Sequence, residues 1–183
     1  RLVVKDVVSG QAAGPLRQRP GTVVAPALAF SADGRRAAEW TPAGRVLIWD
    51  LVRGAVRTTI ALRRPGEPAA PSFTSWDFSM SLSQDGGFLA VRDAGEFRVW
   101  NARDGRALGR LSVAPIWFAF DNPEVKTPRL IYLDLQGQLW HWKPGARPAR
   151  VGALQMPALV AFGTVGLQLS ADRKRLVYLH GTE

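Results

Sequence analysis

The sequence predicts an all-β fold, a partial or small β-propeller of about four blade equivalents, each a sheet of four short antiparallel strands, within 183 residues. Three observations predict it. The phrase Val46-Leu47-Ile48-Trp49-Asp50 returns as Phe97-Arg98-Val99-Trp100-Asn101 and Leu139-Trp140-His141-Trp142-Lys143, and a Trp-less copy stands at Leu2-Val3-Val4-Lys5-Asp6. Reading Lys5, Trp49, Trp100 and Trp142 as one column gives steps of 44, 51 and 42 residues, near the period of about 40–45 at which four-stranded propeller blades repeat. Upstream of the column, Phe30-Ser31-Ala32-Asp33-Gly34, Leu82-Ser83-Gln84-Asp85-Gly86 and Leu169-Ser170-Ala171-Asp172-Arg173 align without gaps, with a weaker version at Phe120-Asp121-Asn122-Pro123.

Each unit reads in the same order. Leu28 and Phe30, Met80 and Leu82, Phe118 and Phe120, and Leu167 and Leu169 alternate ahead of the Ser-x-Asp-Gly turn, and apolar residues at period two on one face make a half-buried first strand. Ser, Asp and Gly then close a tight hairpin, because Asx side chains bond nearby backbone and Gly tolerates positive φ. Second strands follow at Ala37–Trp40, Leu89–Arg92, Leu130–Leu133 and Leu176–Leu179, and turns at Gly44, Gly95 and Gly137 lie five residues ahead of the Trp. The third strand carries the Trp, so Trp49, Trp100 and Trp142 are assigned to the core between blades. A turn containing Gly10, Gly54, Gly105 or Gly145 leads to fourth strands at Val56–Ala61, Ala107–Leu111 and Ala149–Leu154. One such sheet cannot bury both faces alone, and radial stacking supplies the cover.

Cut on this register, residues 1–183 form a single propeller domain or fragment: a half-blade at 1–17, blades at about 26–61, 77–111 and 115–154, and a half-blade at about 165–180. Either the halves pair to close a small ring, or they are cut ends of a larger propeller. The start at Arg1 in mid-strand register favours the second, an excerpt from a longer protein. A chain of this length buries roughly 70% of its unfolded surface, enough for a core without staples. Cysteine is absent, which excludes disulfides, thiolate metal sites and a cysteine nucleophile and fits a cytoplasmic location. No apolar run reaches the roughly 18 residues of a membrane span, so no membrane partner is expected.

These residues resemble the WD-repeat family of β-propellers from Leu2 to Leu179, with Trp49-Asp50 the full match, Trp100-Asn101 near, Trp142-Lys143 half, and Lys5-Asp6 keeping only the acid. The repeats are degenerate. The family's Gly-His ahead of the first strand is missing throughout, since the histidines are His141 and His180, and the acid of the second–third turn is missing at Pro42-Ala43-Gly44, with Asp93 and Asp134 as loose substitutes. The resemblance implies a rigid, non-catalytic platform for protein partners. Asp50-Leu51-Val52-Arg53-Gly54 and Ala102-Arg103-Asp104-Gly105-Arg106 are also similar to the turn of quinoprotein propellers, but no Trp follows Gly54 or Gly105, so a propeller enzyme of quinoprotein or hydrolase type is the weaker alternative.

No nucleophile elbow, phosphate loop or His-x-x-x-His pair is present, and no catalytic, cofactor or metal residue is assigned. His141, opposite Trp140 and Trp142, is read as a structural His bonded to backbone, and Asp121-Asn122-Pro123-Glu124 as a hairpin tip. Trp76 and Trp117, at the start of first strands, are the candidate partner contacts. The net charge of +9 comes mostly from Arg. Because first–second and third–fourth turns of a meander emerge on one side of the ring, Arg35, Arg36, Arg53, Arg103, Arg106, Arg147 and Lys174 compose a candidate basic face, diluted by Asp33, Asp85, Asp104 and Asp172. The expectation is a protein–protein interaction scaffold. Nucleic-acid or anionic-surface binding through the basic face is the alternative, with weak, non-specific nucleic-acid binding expected from charge alone.

Overall fold

In the computed structural model the described residues are 27–41, 43–62, 78–93, 95–113, 115–121, 126–154, 167–170 and 175–178. They hold three four-stranded antiparallel meanders and one two-stranded sheet. The first meander is β1 (Leu28–Phe30), β2 (Arg36–Thr41), β3 (Arg45–Asp50) and β4 (Ala55–Ala61). The second is β5 (Ser79–Leu82), β6 (Phe88–Asp93), β7 (Glu96–Asn101) and β8 (Ala107–Leu111); the third is β9 (Trp117–Phe120), β10 (Leu130–Leu133), β11 (Gln138–Trp142) and β12 (Ala149–Ala153). The pair β13 (Leu167–Leu169) and β14 (Leu176–Tyr178) begins the next unit. Residues 1–17, Trp76, Lys174 and His180 lie outside the described residues, and with them the question of ring closure.

Turn chemistry dictates this meander. Gly34 and Gly86, in the first–second turns, adopt φ of 67° and 63°, a region that penalises any side chain. Gly44 and Gly95 do the same in second–third turns, at 70° and 80°. The Ser of each hairpin works as a clamp: Ser31 Oγ donates to Asp33 Oδ1 at 2.6 Å and accepts the Arg36 N–H at 3.0 Å, while Ser83 repeats both bonds with Asp85 and Phe88 at 2.9 Å.

The three sheets stack face to face. Between the first and second lie Ala38, Trp40, Val46, Ile48 and Ile60 from one side and Phe78, Leu82, Leu89, Val91 and Trp100 from the other. Between the second and third, Phe88, Ala90, Phe97 and Val99 meet Phe118, Phe120, Leu130, Tyr132 and Trp142. Alternation along β6 sends Leu89 and Val91 to one neighbour and Phe88 and Ala90 to the other, so a central blade is apolar on both faces. The first strands β1, β5 and β9 contact one another in succession and mark the inner edge of the stack.

Trp49, Trp100 and Trp142 are buried, at 1%, 5% and 2% exposure. Each pairs across the sheet with an apolar second-strand residue, Ala37, Leu89 and Leu130. The third–fourth ladder slips at Ile48/Trp49, Val99/Trp100 and Leu139/Trp140, and such bulges sharpen the twist of outer strands.

One expected pattern is reversed locally. Leu28 and Phe30 are 39% and 52% exposed while Ala29 is buried. Their face is the one on which Leu82 and Phe120, the residues equivalent to Phe30, are covered by the preceding sheet.

Candidate functional site

In the first two sheets the acid or amide after the repeat Trp organises the next turn. Asp50 Oδ1 accepts the Arg53 N–H at 3.0 Å, and Asn101 Oδ1 accepts the Arg103 N–H at 2.9 Å. Both turns thereby aim an arginine at the side of the stack where the Ser-x-Asp-Gly hairpins also emerge. In the third sheet Lys143 replaces the acceptor, and the turn closes by the Ala146 N–H to Lys143 O at 3.0 Å and by the Trp142 indole N–H to Ala146 O at 3.2 Å.

These turns interlock across the boundary between the first and second blades. The Asp33 N–H donates to Gln84 O at 3.3 Å, Arg36 Nη1 donates to Gly86 O at 3.2 Å, and Thr58 Oγ1 donates to Arg103 O at 3.1 Å. A Cβ on Gly86 would lie 2.6 Å from Arg36 Cδ, so glycine is required there for space as well as for φ. Arg103 Nη2 meets Asp85 Oδ2 at 3.0 Å.

The result is an open notch of about 460 Å³. Arg35, Arg36, Arg53, Arg57 and Arg103 line it, with Asp33, Asp50 and Asp85 among them and Val52, 77% exposed, at its lip. Burial holds the Arg36 guanidinium below its ordinary pKa, with Arg57 and Arg103 adding to the shift and Asp85 and Asp33 opposing it. Asp33 lies below the usual carboxylate range: burial, which raises it, is outweighed by the Ser31 hydroxyl, the Arg35 N–H and the charges of Arg35 and Arg36. Among the described residues no carboxylate lies within ion-pair distance of Arg35, Arg53 or Arg57.

The structure thus brings together Arg35, Arg36, Arg53 and Arg103 of the expected basic face. It adds Arg57, which sequence reasoning missed because it belongs to a strand rather than a turn; alternation along Val56–Ala61 was the available signal. Arg106 is exposed in the turn of Arg103 but does not line the notch, and Arg147 lies elsewhere. Of the candidate contacts, Trp117 is half-buried at the first position of β9, opposite Leu133, and Trp76 is outside the described residues.

Two other readings change. Asp134 is no loose substitute: it accepts the N–H groups of Gln136 and Gln138 at 3.0 and 2.8 Å and the Trp140 indole N–H at 2.8 Å, closing its turn from within. His141 is held by a carboxylate rather than by backbone, its Nε2 2.9 Å from Asp121 Oδ2, with Arg129 Nε 2.8 Å from Oδ1. Asp121 is consequently buried rather than exposed at a hairpin tip. Its two oxygens are filled by two cationic or polar partners, which is what lets a carboxylate sit inside.

A second cleft, of about 550 Å³, is largely apolar. Tyr132 stacks on Trp140 with ring centroids 6.4 Å apart, beside Val113, Leu135, Arg147 and Pro148. Burial, and then the charge of Asp134, raises the Tyr132 phenol above its usual range.

Three solved structures share this arrangement of sheets. The WD40 domain of SCAP from fission yeast superposes with a TM-score of 0.56 at 13% identity over 79% of this chain. The β-propeller domain of Myceliophteria thermophila Cps50 (Swd1) gives 0.57 at 15% over 88%, and the WD40 repeats of RRP9 give 0.50 at 20% over 76%. The chain has the fold of a WD-repeat-like β-propeller. It spans 37%, 51% and 40% of those three chains, respectively. No protein-family model and no curated protein matches the sequence.

Proposed function

We propose that this propeller is a non-catalytic scaffold that holds a protein partner by an acidic segment seated in the arginine-lined notch between its first two blades. The observation that carries the reading is the set of guanidinium groups at Arg35, Arg53 and Arg57 lining one notch with no carboxylate within ion-pair distance among the described residues. Arginine forks presented on interlocked turns are pre-organised donors for carboxylates and other oxyanions, so little entropy is lost when they bind. The exposed Val52 at the lip supports a protein ligand, since protein interfaces combine apolar contact with a polar rim.

A fluorescein-labelled peptide of alternating Glu and Gly tests this by anisotropy at about 150 mM salt, where exposed charges act only over roughly 8 Å. Saturable binding, lost in Arg53→Glu/Arg57→Glu with the fold intact by circular dichroism, is expected. A duplex DNA probe is the control. Duplex binding that survives this salt while the acidic peptide fails to bind would replace the scaffold reading by the nucleic-acid one, because non-specific phosphate contacts weaken steeply with salt.

A further inference from the structure

We propose that the group recognised in the notch is a phosphomonoester dianion, carried by a phosphorylated serine or threonine of the partner; this rests on the scaffold reading and narrows it. Charge balance is the first argument. Five arginines and three aspartates line the notch, a formal excess of two positive charges. A phosphomonoester carries about −1.5 to −2 at neutral pH, whereas a carboxylate side chain or a phosphodiester carries −1.

The second argument is which donors are free. All three aspartates are engaged: Asp33 by Ser31 and the Arg35 N–H, Asp85 by Ser83, the Gly87 N–H and Arg103, and Asp50 by the Arg53 N–H. Their negative charge remains in the notch and lowers its pull on any anion, while the guanidinium forks of Arg35, Arg53 and Arg57 have no carboxylate within ion-pair distance among the described residues. The three terminal oxygens of a monoester offer these forks several charge-assisted hydrogen bonds at once. Arg36, half-buried and tied to Gly86 O, supplies a fixed charge at the base.

Shape is the third. A nucleic-acid backbone needs a basic track, but neither Arg106 nor Arg147 lines the notch, and Arg147 borders the apolar cleft instead. The five arginines of the notch form one open cluster rather than a track, a shape suited to a single anionic group.

The experiment compares three labelled peptides of one neutral sequence, bearing Ser, Glu or phosphoserine at the centre, by anisotropy titration of the whole chain. The phosphopeptide is expected to bind tighter than the Glu peptide by about tenfold or more, the consequence of one additional charge-assisted contact. That advantage should shrink between about pH 7.5 and 5.5, because the phosphate's second ionisation lies near 6 and no histidine among the described residues lines the notch. Arg53→Gln/Arg57→Gln should remove the advantage with the thermal midpoint unchanged, both side chains being exposed. Equal affinity for Glu and phosphoserine peptides would overturn the phosphate inference and leave acidic docking standing. Failure of both peptides overturns the two together. Inorganic phosphate competing at the concentration of the phosphopeptide would make a free anion the ligand, and tighter binding of duplex DNA than of phosphopeptide at about 150 mM salt would make it nucleic acid; either refutes a phosphorylated protein partner.

Discussion

Trp49 and Trp100 occupy the same place in adjacent blades, yet replacing each by Phe should have different consequences. The Trp49 indole N–H donates to Glu39 Oε2 at 2.8 Å; Glu39 is fully buried, and its Oε1 has no hydrogen-bond partner among the described residues. Counting along the second strand from the residue opposite each Trp, the site of Glu39 is Val91 in the second blade and Tyr132 in the third. Trp49→Phe therefore removes ring volume and strips Glu39 of its remaining bond, whereas Trp100→Phe removes ring volume beside an aliphatic neighbour. A hydrogen bond to a charged group contributes about 1.5–3 kcal/mol, so Trp49→Phe should destabilise by that much more than Trp100→Phe. In the Glu39→Val/Trp49→Phe double variant, which copies the second blade's aliphatic choice, the excess should be recovered as a coupling energy of about 1.5–3 kcal/mol. Urea denaturation followed by far-UV circular dichroism measures the wild type, the single variants Trp49→Phe, Trp100→Phe and Glu39→Val, and the double variant without relying on tryptophan emission. Equal losses at Trp49 and Trp100, or an additive double variant, would refute the idea that Glu39 is held in the core by this one indole.

Gly86→Ala should cost about 1–3 kcal/mol, combining positive φ with a clash against the Arg36 stem, while Gly34→Ala, with nothing within 4 Å of its Cβ, should cost only the conformational part, about 1 kcal/mol; urea midpoints that fall equally would remove Arg36 from the account. The depressed Asp33 carboxyl contributes stability that is present above its unfolded pKa and lost as pH falls through the folded value. Asp33→Asn should accordingly flatten the acid side of the stability curve between about pH 5 and pH 3, and an unchanged slope there would count against the Ser31–Asp33 clamp.

The fold was legible because blades repeat their covalent requirements. A positive-φ glycine is needed at each tight turn, a Ser–Asp pair clamps the hairpin, and an apolar residue must face the next blade; these demands fall at fixed offsets and show as columns. Legibility failed where a blade meets its requirement by other means. Asp134 and Asp121 were undervalued because the side chains that engage them, Trp140 and His141 on β11 and Arg129 just ahead of β10, lie at separations that follow no repeat. Leu28 and Phe30 illustrate a different limit: period two identifies a strand, but exposure depends on whether a neighbouring sheet covers that face.

The arginine notch was half-visible for a related reason. Turn positions could be placed on one side of the ring from connectivity alone, which grouped Arg35, Arg36, Arg53 and Arg103 correctly, but connectivity does not measure distance around the ring. Stacking decides that. Adjacent blades interlock through Asp33 with Gln84, Arg36 with Gly86 and Thr58 with Arg103, and those contacts draw one blade's hairpin against its neighbour's turn while leaving Arg106 and Arg147 outside. The same contacts tie the site together, because Arg35, Arg53 and Arg103 project from turns, and Arg36 and Arg57 from strands β2 and β4, whose backbone is already hydrogen-bonded. A repeat protein can therefore acquire a site by substitution at turn positions that its fold does not constrain, and under the proposed reading the boundary where Arg35, Arg53 and Arg57 gather with no carboxylate in ion-pair distance among the described residues is where a ligand would supply negative charge.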